Sequence, residues 1–181
     1  MRRKSPPPPL DGDALDRLAL RYVERYATTR AKLRDYLTRK VRERGWAGDA
    51  PPDPAAIAER MADFRYVDDR AFAEARVRSL GRRGLGARRI DLALRAAGIE
   101  PVDAAAVRDD VDAQADASAL TFARRRRLGP FAPEPGNDPR ARDKAFAAML
   151  RAGHDPARIR RILAYDPGDV ADFDADDGHL T

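Results

Sequence analysis

Few residues in this chain could carry covalent chemistry. Serine occurs only at Ser5, Ser79 and Ser118, none near His154 or His179 along the chain. Cysteine is absent, which excludes a disulfide scaffold, a zinc–thiolate site and a cysteine nucleophile. Two histidines are too few for a histidine metal cage. The stretch Gly81-Arg82-Arg83-Gly84-Leu85-Gly86 has the look of a phosphate loop. It lacks the preceding strand, the lysine and the glycine order that such a loop needs to wrap a nucleotide. Asp68, Asp69 and Glu74 read as a helix cap with acids in the first turn, where the helix dipole favours them. His154 follows Gly153 and reads as a turn residue. No catalytic residue, metal ligand or cofactor is expected.

The chemistry that is present is cationic. The 181 residues hold 35 Lys and Arg against 30 Asp and Glu, a net charge of +5. Only Lys4, Lys32, Lys40 and Lys144 are lysines, so arginine supplies nearly all the positive charge. Six acids, Asp166, Asp169, Asp172, Asp174, Asp176 and Asp177, lie beyond Tyr165 with no basic residue among them, which leaves a net of +11 on the body of the chain before them. A basic body with an acidic tail points to a polyanion, or a protein coated on one, as partner. Arg76, Arg78, Arg82, Arg83, Arg88, Arg89 and Arg95 surround one glycine-rich break. Arg88 and Arg89 fall in the first turn of the helix after it, where cations oppose the dipole by a few tenths of a kcal/mol. Arg124, Arg125, Arg126 and Arg127 form a second block. The aromatic residues fall mostly on apolar stripes, so base stacking is not expected.

These arginines must be positioned by helices, because apolar residues recur at spacings of three and four and no strand pattern is found. Residues 1–12 (MRRKSPPPPLDG) run into four prolines where a signal peptide needs an apolar stretch, and disorder is expected there. Leu15, Leu18, Tyr22, Val23 and Tyr26 mark one helix face; Thr28 or Thr29 caps a second helix with Leu33, Tyr36, Leu37 and Val41 inward. Asp53-Pro54 starts a third with Ile57, Met61 and Phe64. Asp68 caps a helix with Phe72, Ala75 and Leu80 inward, and Gly81, Gly84 and Gly86 break it. Ile90, Ala93 and Leu94 follow, up to Gly98; a helix after Pro101 uses Val107 and Val111. Leu120 and Phe122 lead into the second arginine block, and a loop follows at 129–138. Asp138-Pro139 and Asp155-Pro156 start the last two helices.

The pattern repeats. Leu33-Tyr36-Leu37, Ile90-Ala93-Leu94 and Phe146-Met149-Leu150 share one spacing, and their anchors Leu33, Ile90 and Phe146 stand almost evenly along the chain. Each is followed by a break, a proline and a second apolar pair: Ile57/Met61, Val107/Val111 and Ile159/Leu163. A repeat period of roughly 50 residues, with three helices per unit, indicates a helical array. The expected organisation is all-α, an elongated array of three tandem three-helix repeats over 13–66, 67–112 and 113–165, with a flexible acidic tail over 166–181. About nine helices are expected.

The run Tyr66-Val67-Asp68-Asp69-Arg70-Ala71-Phe72-Ala73-Glu74, then Arg78, Gly84-Leu85-Gly86-Ala87-Arg88-Arg89-Ile90, Leu94 and Gly98-Ile99, resembles the central motifs of the RecX family. Thr29-Arg30-Ala31-Lys32-Leu33 and Leu37 are similar to that family's first repeat. The likeness is specific over about 15–112 and loose from there to about 165. It implies three three-helix repeats, as the periodicity does. It further implies a cytoplasmic regulatory protein, not an enzyme and without cofactor, that binds the RecA recombinase filament and inhibits strand exchange and ATP hydrolysis, with consequences for homologous recombination, DNA repair and the SOS response. Asp68, Asp69, Phe72, Ala73, Gly84, Gly86, Ile90, Leu94 and Gly98 are its motif residues here. The arginines of both blocks are the expected contacts with the filament and its single-stranded DNA, with free DNA a weaker partner, no membrane, and a monomeric protein. The competing reading is a helix-turn-helix DNA-binding regulator built on Phe72–Ala97, disfavoured because the second helix is short of Asn and Gln for base edges.

Overall fold

Most helices begin where an Asp or Thr side chain can accept a hydrogen bond from the first turn, an arrangement worth about 1 kcal/mol each. Asp11 accepts from Ala14 N–H at 2.8 Å and opens α1 (Gly12–Arg25). Thr29 accepts from Lys32 at 3.1 Å and opens α2 (Arg30–Arg44). Asp53 accepts from Ala56 at 2.9 Å and opens α3 (Pro54–Asp63). Asp68 does the same for Ala71 at 2.8 Å before α4 (Asp69–Arg82). α5 (Ala87–Ala96), α6 (Pro101–Ala106), α7 (Arg108–Ala113) and α8 (Ala115–Arg126) follow. Asp138 and Asp155, each before a proline, cap α9 (Pro139–Arg151) and α10 (Pro156–Leu163).

This computed structural model describes residues 7–133 and 138–165. Among the described residues there are ten α-helices, one 3-10 turn at Gly129–Phe131 and no strand apart from a single bridge between Leu10 and Trp46. The all-α array of three-helix units therefore holds. The acidic tail expected over 166–181 lies outside the described residues. So do residues 1–6 and 134–137.

Several expectations need correcting. Leu10, placed in the disordered stretch, is fully buried; its N–H donates to Gly45 O at 2.9 Å and its carbonyl accepts from Ala47 at 2.8 Å. The helix expected from Pro101 through Val111 is two, because Val107 leaves helical geometry at φ −106°, ψ 8°. A second break follows at Gln114, whose side-chain amide donates to Asp110 O at 2.8 Å in a run rich in Asp, a residue type that competes for backbone bonds. Gly81 does not break the chain: it lies inside α4, buried against the Gln114 carboxamide. In α4 the inward stripe is Ala73, Val77 and Leu80, while Ala75 is exposed. In α9 Ala145 and Met149 are buried, with Phe146 and Leu150 only half-buried, so the third anchor sits one residue earlier than expected. Phe64 and Tyr26, expected inward, are 64% and 49% exposed.

The chain divides into two compact units, Met1–Ala73 with Arg95–Ala104, and Glu74–Leu94 with Ala105–Thr181. In the first, Leu10, Leu15, Ala19, Leu33, Leu37, Ile57, Met61 and Val67 form the core of α1–α3. In the second, Ala119, Ala123, Met149, Ile159 and Ile162 join α8, α9 and α10.

Candidate functional site

The expected basic turn lies between α4 and α5, over residues 83–86. Gly84 takes φ +79°, and a Cβ there would lie 2.8 Å from Phe122 N on α8. Gly86 has no such φ, but its Cβ would run into the Gly153 carbonyl and lie 2.5 Å from His154 N. The turn is thus pressed between α8 and the α9–α10 connection, which only two hydrogens in place of side chains permit. Gly86 N–H donates to Ala152 O at 3.0 Å and Arg88 N–H to Gly153 O at 3.2 Å. His154, 2% exposed, closes the arrangement: its Nε2 lies 3.1 Å from Gly84 O, so the ring must carry its proton there and donate. Burial, with the nearby Arg158 charge, holds the pKa of this imidazole below its ordinary value against the opposing pull of that carbonyl. His154 is therefore a buried structural donor and not merely a turn residue.

The same packing brings the two arginine blocks together. Arg125 Nη1 donates to Arg83 O at 3.2 Å. Arg82 ends α4, Arg83 begins the turn, and Arg88 and Arg89 occupy the first turn of α5; all four are exposed. Among the described residues none of these four side chains has an ion-pair partner, and neither does Arg76. Arg78 reaches Glu74 at 3.9 Å. Arg95 lies in the last turn of α5, in the other compact unit. Arg124, Arg125 and Arg126 occupy the last turn of α8, where cations suit the dipole, and Arg127 caps it at φ +54°. Arg124 lies 5.0 Å over the Phe131 ring and Arg126 5.9 Å over Phe122.

The motif residues build the scaffold. Ala73, Ile90 and Leu94 are buried. Phe72 is half-buried beneath the Lys32 ammonium at 4.9 Å, and Gly98 turns the chain at φ +71° against Ala31. Asp69, 6% exposed, accepts from Arg30 N–H at 2.9 Å and from Arg30 Nε at 3.1 Å. Arg30 also reaches Glu59 at 3.3 Å and Asp103 at 3.4 Å, and hydrogen bonding to Asp69 raises its already high proton affinity. Thr29, the α2 cap, donates its hydroxyl to Ala97 O at 2.6 Å. In α8, Asp116 receives Arg158 and Arg161, each at 2.6 Å; burial raises this carboxyl, but the two arginines outweigh it and hold it low. Sequence reasoning named Arg30 only within the first-repeat likeness and missed its partners, along with Asp116 and the meeting of the arginine blocks. Their partners are remote along the chain, and no local spacing marks them.

Comparison with known proteins gives a consistent result. The family model for the second three-helix domain of RecX matches residues 68–107. The regulatory protein RecX of Myxococcus xanthus (strain DK1622) is 30% identical over 160 residues, 84% of this chain and 86% of that protein. The regulatory protein RecX of Agrobacterium fabrum (strain C58 / ATCC 33970) is 31% identical over 164 residues, 87% of this chain and 86% of that one. The crystal structure of RecX from Lactobacillus salivarius superposes with a TM-score of 0.64 at 21% identity, covering 84% of this chain and 94% of that chain, which bears on the fold alone.

Proposed function

The chain belongs to the RecX family of regulatory proteins, and from that premise we propose that it binds the RecA nucleoprotein filament and inhibits RecA's strand exchange and ATP hydrolysis. On this reading it works without catalytic chemistry or cofactor, as a cytoplasmic monomer, and tunes homologous recombination, DNA repair and the SOS response. Among the described residues no helix is long and apolar enough to cross a membrane.

One observation supports the binding face above the others. Arg82, Arg83, Arg88 and Arg89 stand exposed around a tightly packed turn with no ion-pair partner among the described residues, and two of them sit at a helix end that disfavours cations. Helix stability alone does not account for them, and this supports an anionic partner surface, the phosphates of the filament DNA or acidic groups of RecA. Arg76, Arg78 and Arg124–Arg127, in the same compact unit, are assigned a peripheral part in that contact.

The test is RecA-catalysed ATP hydrolysis on single-stranded DNA with and without the protein. Substoichiometric inhibition is expected. An Arg82/Arg83/Arg88/Arg89→Ala variant should keep its helicity, since exposed substitutions seldom change stability by more than about 0.5 kcal/mol. At about 1 kcal/mol per contact, and allowing for non-additivity, it should inhibit at least about 100-fold more weakly. Full inhibition by the folded variant moves the contact elsewhere. No effect of the wild type on RecA, together with tight binding to one duplex sequence, favours the helix-turn-helix reading.

A further inference from the structure

A second cationic feature lies in the first compact unit and uses none of the residues assigned so far. Between α1 and α2 is an open cleft of about 530 Å³, a size typical of ligand sites. Three tyrosines shape it. Tyr22 on α1 and Tyr36 on α2 stack with ring centroids 4.2 Å apart, half-buried on the core. Tyr26, one helical turn beyond Tyr22, tilts onto it at 5.2 Å and is 49% exposed. A tyrosine ring left half in water at the end of an apolar stripe offers a face that the core does not use.

Four cations share the cleft: Arg21 and Arg25 from α1, Arg39 and Lys40 from α2. Arg25 lies 5.5 Å over the Tyr26 ring; Arg39 and Lys40 lie 5.7 and 5.8 Å from the Tyr36 centroid. Among the described residues no acid lines the cleft. Glu43, outside the lining, pairs with Lys40 at 2.6 Å and with Arg39 at 3.6 Å, so it offsets one of the two α2 charges and neither of those on α1.

Stacking faces interleaved with cations are what an unpaired nucleic-acid strand needs. Flat bases occupy ring faces without regard to sequence, and their phosphates meet the cations. A duplex hides its base faces from such a platform. An acidic peptide would use the cations but would have no use for an exposed ring. We infer that the α1–α2 cleft is a single-stranded nucleic-acid site, in which Tyr26 and the Tyr22–Tyr36 stack hold unpaired bases and Arg21 and Arg25 hold the adjoining phosphates. It does not rest on the filament reading, which concerns other residues.

The test measures fluorescence anisotropy of labelled oligo(dT), and of an abasic backbone of equal length, in the Arg82/Arg83/Arg88/Arg89→Ala background. That background removes the main competing surface. Tyr26→Ala should weaken oligo(dT) binding about 10-fold and leave abasic binding unchanged, while Tyr26→Phe retains affinity. Arg21→Ala with Arg25→Ala should weaken both probes and flatten the log–log salt slope by about 1.4, two phosphates at about 0.7 each. Glu43→Gln should tighten both probes by freeing Arg39 and Lys40. Circular dichroism and Trp46 emission verify folding. Unchanged oligo(dT) affinity in folded Tyr26→Ala overturns the inference. So does an equal loss on both probes, which assigns the cleft to a polyanion or acidic peptide without stacking.

Discussion

Asp69 offers a sharp test of how the scaffold is held. It is buried, yet it carries a motif position that sequence alone reads as a first-turn acid. Asp69→Ala removes two hydrogen bonds: one from the first N–H of α2 at 2.9 Å and one from the Arg30 guanidinium at 3.1 Å. The first resembles a helix cap, about 1 kcal/mol; the second is charge-assisted, about 1.5 kcal/mol at the low end of its range. The low end applies because the Arg30 side chain is 32% exposed and can turn to water, Glu59 and Asp103. The expected loss is about 2–3 kcal/mol. Arg30→Ala should be the costlier change, because it strands a buried carboxylate with only a backbone N–H as donor. Asp69→Asn should recover about 1 kcal/mol, since an amide oxygen still accepts from that N–H. Trp46, the sole tryptophan, packs on the core of the first unit, so its emission during urea unfolding reports this unit. The midpoint should shift with an unchanged slope. If both alanine variants stay within about 0.5 kcal/mol of wild type, the pair behaves as a surface salt bridge and the reasoning fails.

Two further outcomes follow from the central turn. Gly86→Val should destabilise by more than about 3 kcal/mol, because its Cβ meets backbone at Gly153 and His154 that cannot swing aside, whereas Gly84→Ala should lose about 1–2 kcal/mol to its positive φ and the Phe122 backbone; neutral thermal unfolding at both would show instead that the glycines serve approach of a partner. The His154 pKa is held below its ordinary value in the folded protein, so the unfolded chain binds its proton first, and stability should decline as pH falls below about 6.5; a His154→Gln variant with the same slope between about pH 5 and 6.5 would assign that decline to other groups.

Local signals are the legible part of the sequence. Thr29, Asp53, Asp68, Asp138 and Asp155 cap helices where a short polar side chain before an apolar stripe says they should. Leu33/Leu37 and Ile90/Leu94 are buried at the expected spacing because their neighbours are charged, which leaves one apolar face to choose. The misplaced positions lack that contrast. α4 and α9 are rich in alanine, and an Ala can face either way at little difference in energy, so spacing alone prefers Ala75 to Ala73 and Phe146 to Ala145. Tyr26 continues the α1 stripe in spacing, but it falls one residue past the helix end, where φ −132° and ψ 124° turn it from the core. Leu10 follows four prolines that mask it as part of a disordered stub, and its burial depends on Gly45 and Ala47, far beyond the reach of any local pattern.

The two arginine blocks look alike in sequence and differ in what the fold asks of them. Arg124 and Arg126 lie over Phe131 and Phe122, Arg125 bonds the Arg83 carbonyl, and the turn they occupy welcomes positive charge. Each has a structural reason to be there, and replacing them should disturb α8 and its packing as well as any partner. Arg82, Arg83, Arg88 and Arg89 have no such reason among the described residues, and the dipole of α5 works against the last two. Their backbone is nonetheless tightly constrained, fixed by Gly84, Gly86, Gly153 and His154. Charges without internal employment, mounted on a segment with little room to move, suit an external anionic surface at a fixed spacing, because little ordering entropy then remains to be lost on binding. That contrast is why the first block carries the proposed contact and the second supports it, and why a quartet variant that folds normally yet fails to inhibit RecA would separate binding from scaffold more cleanly than any change in Arg124–Arg127.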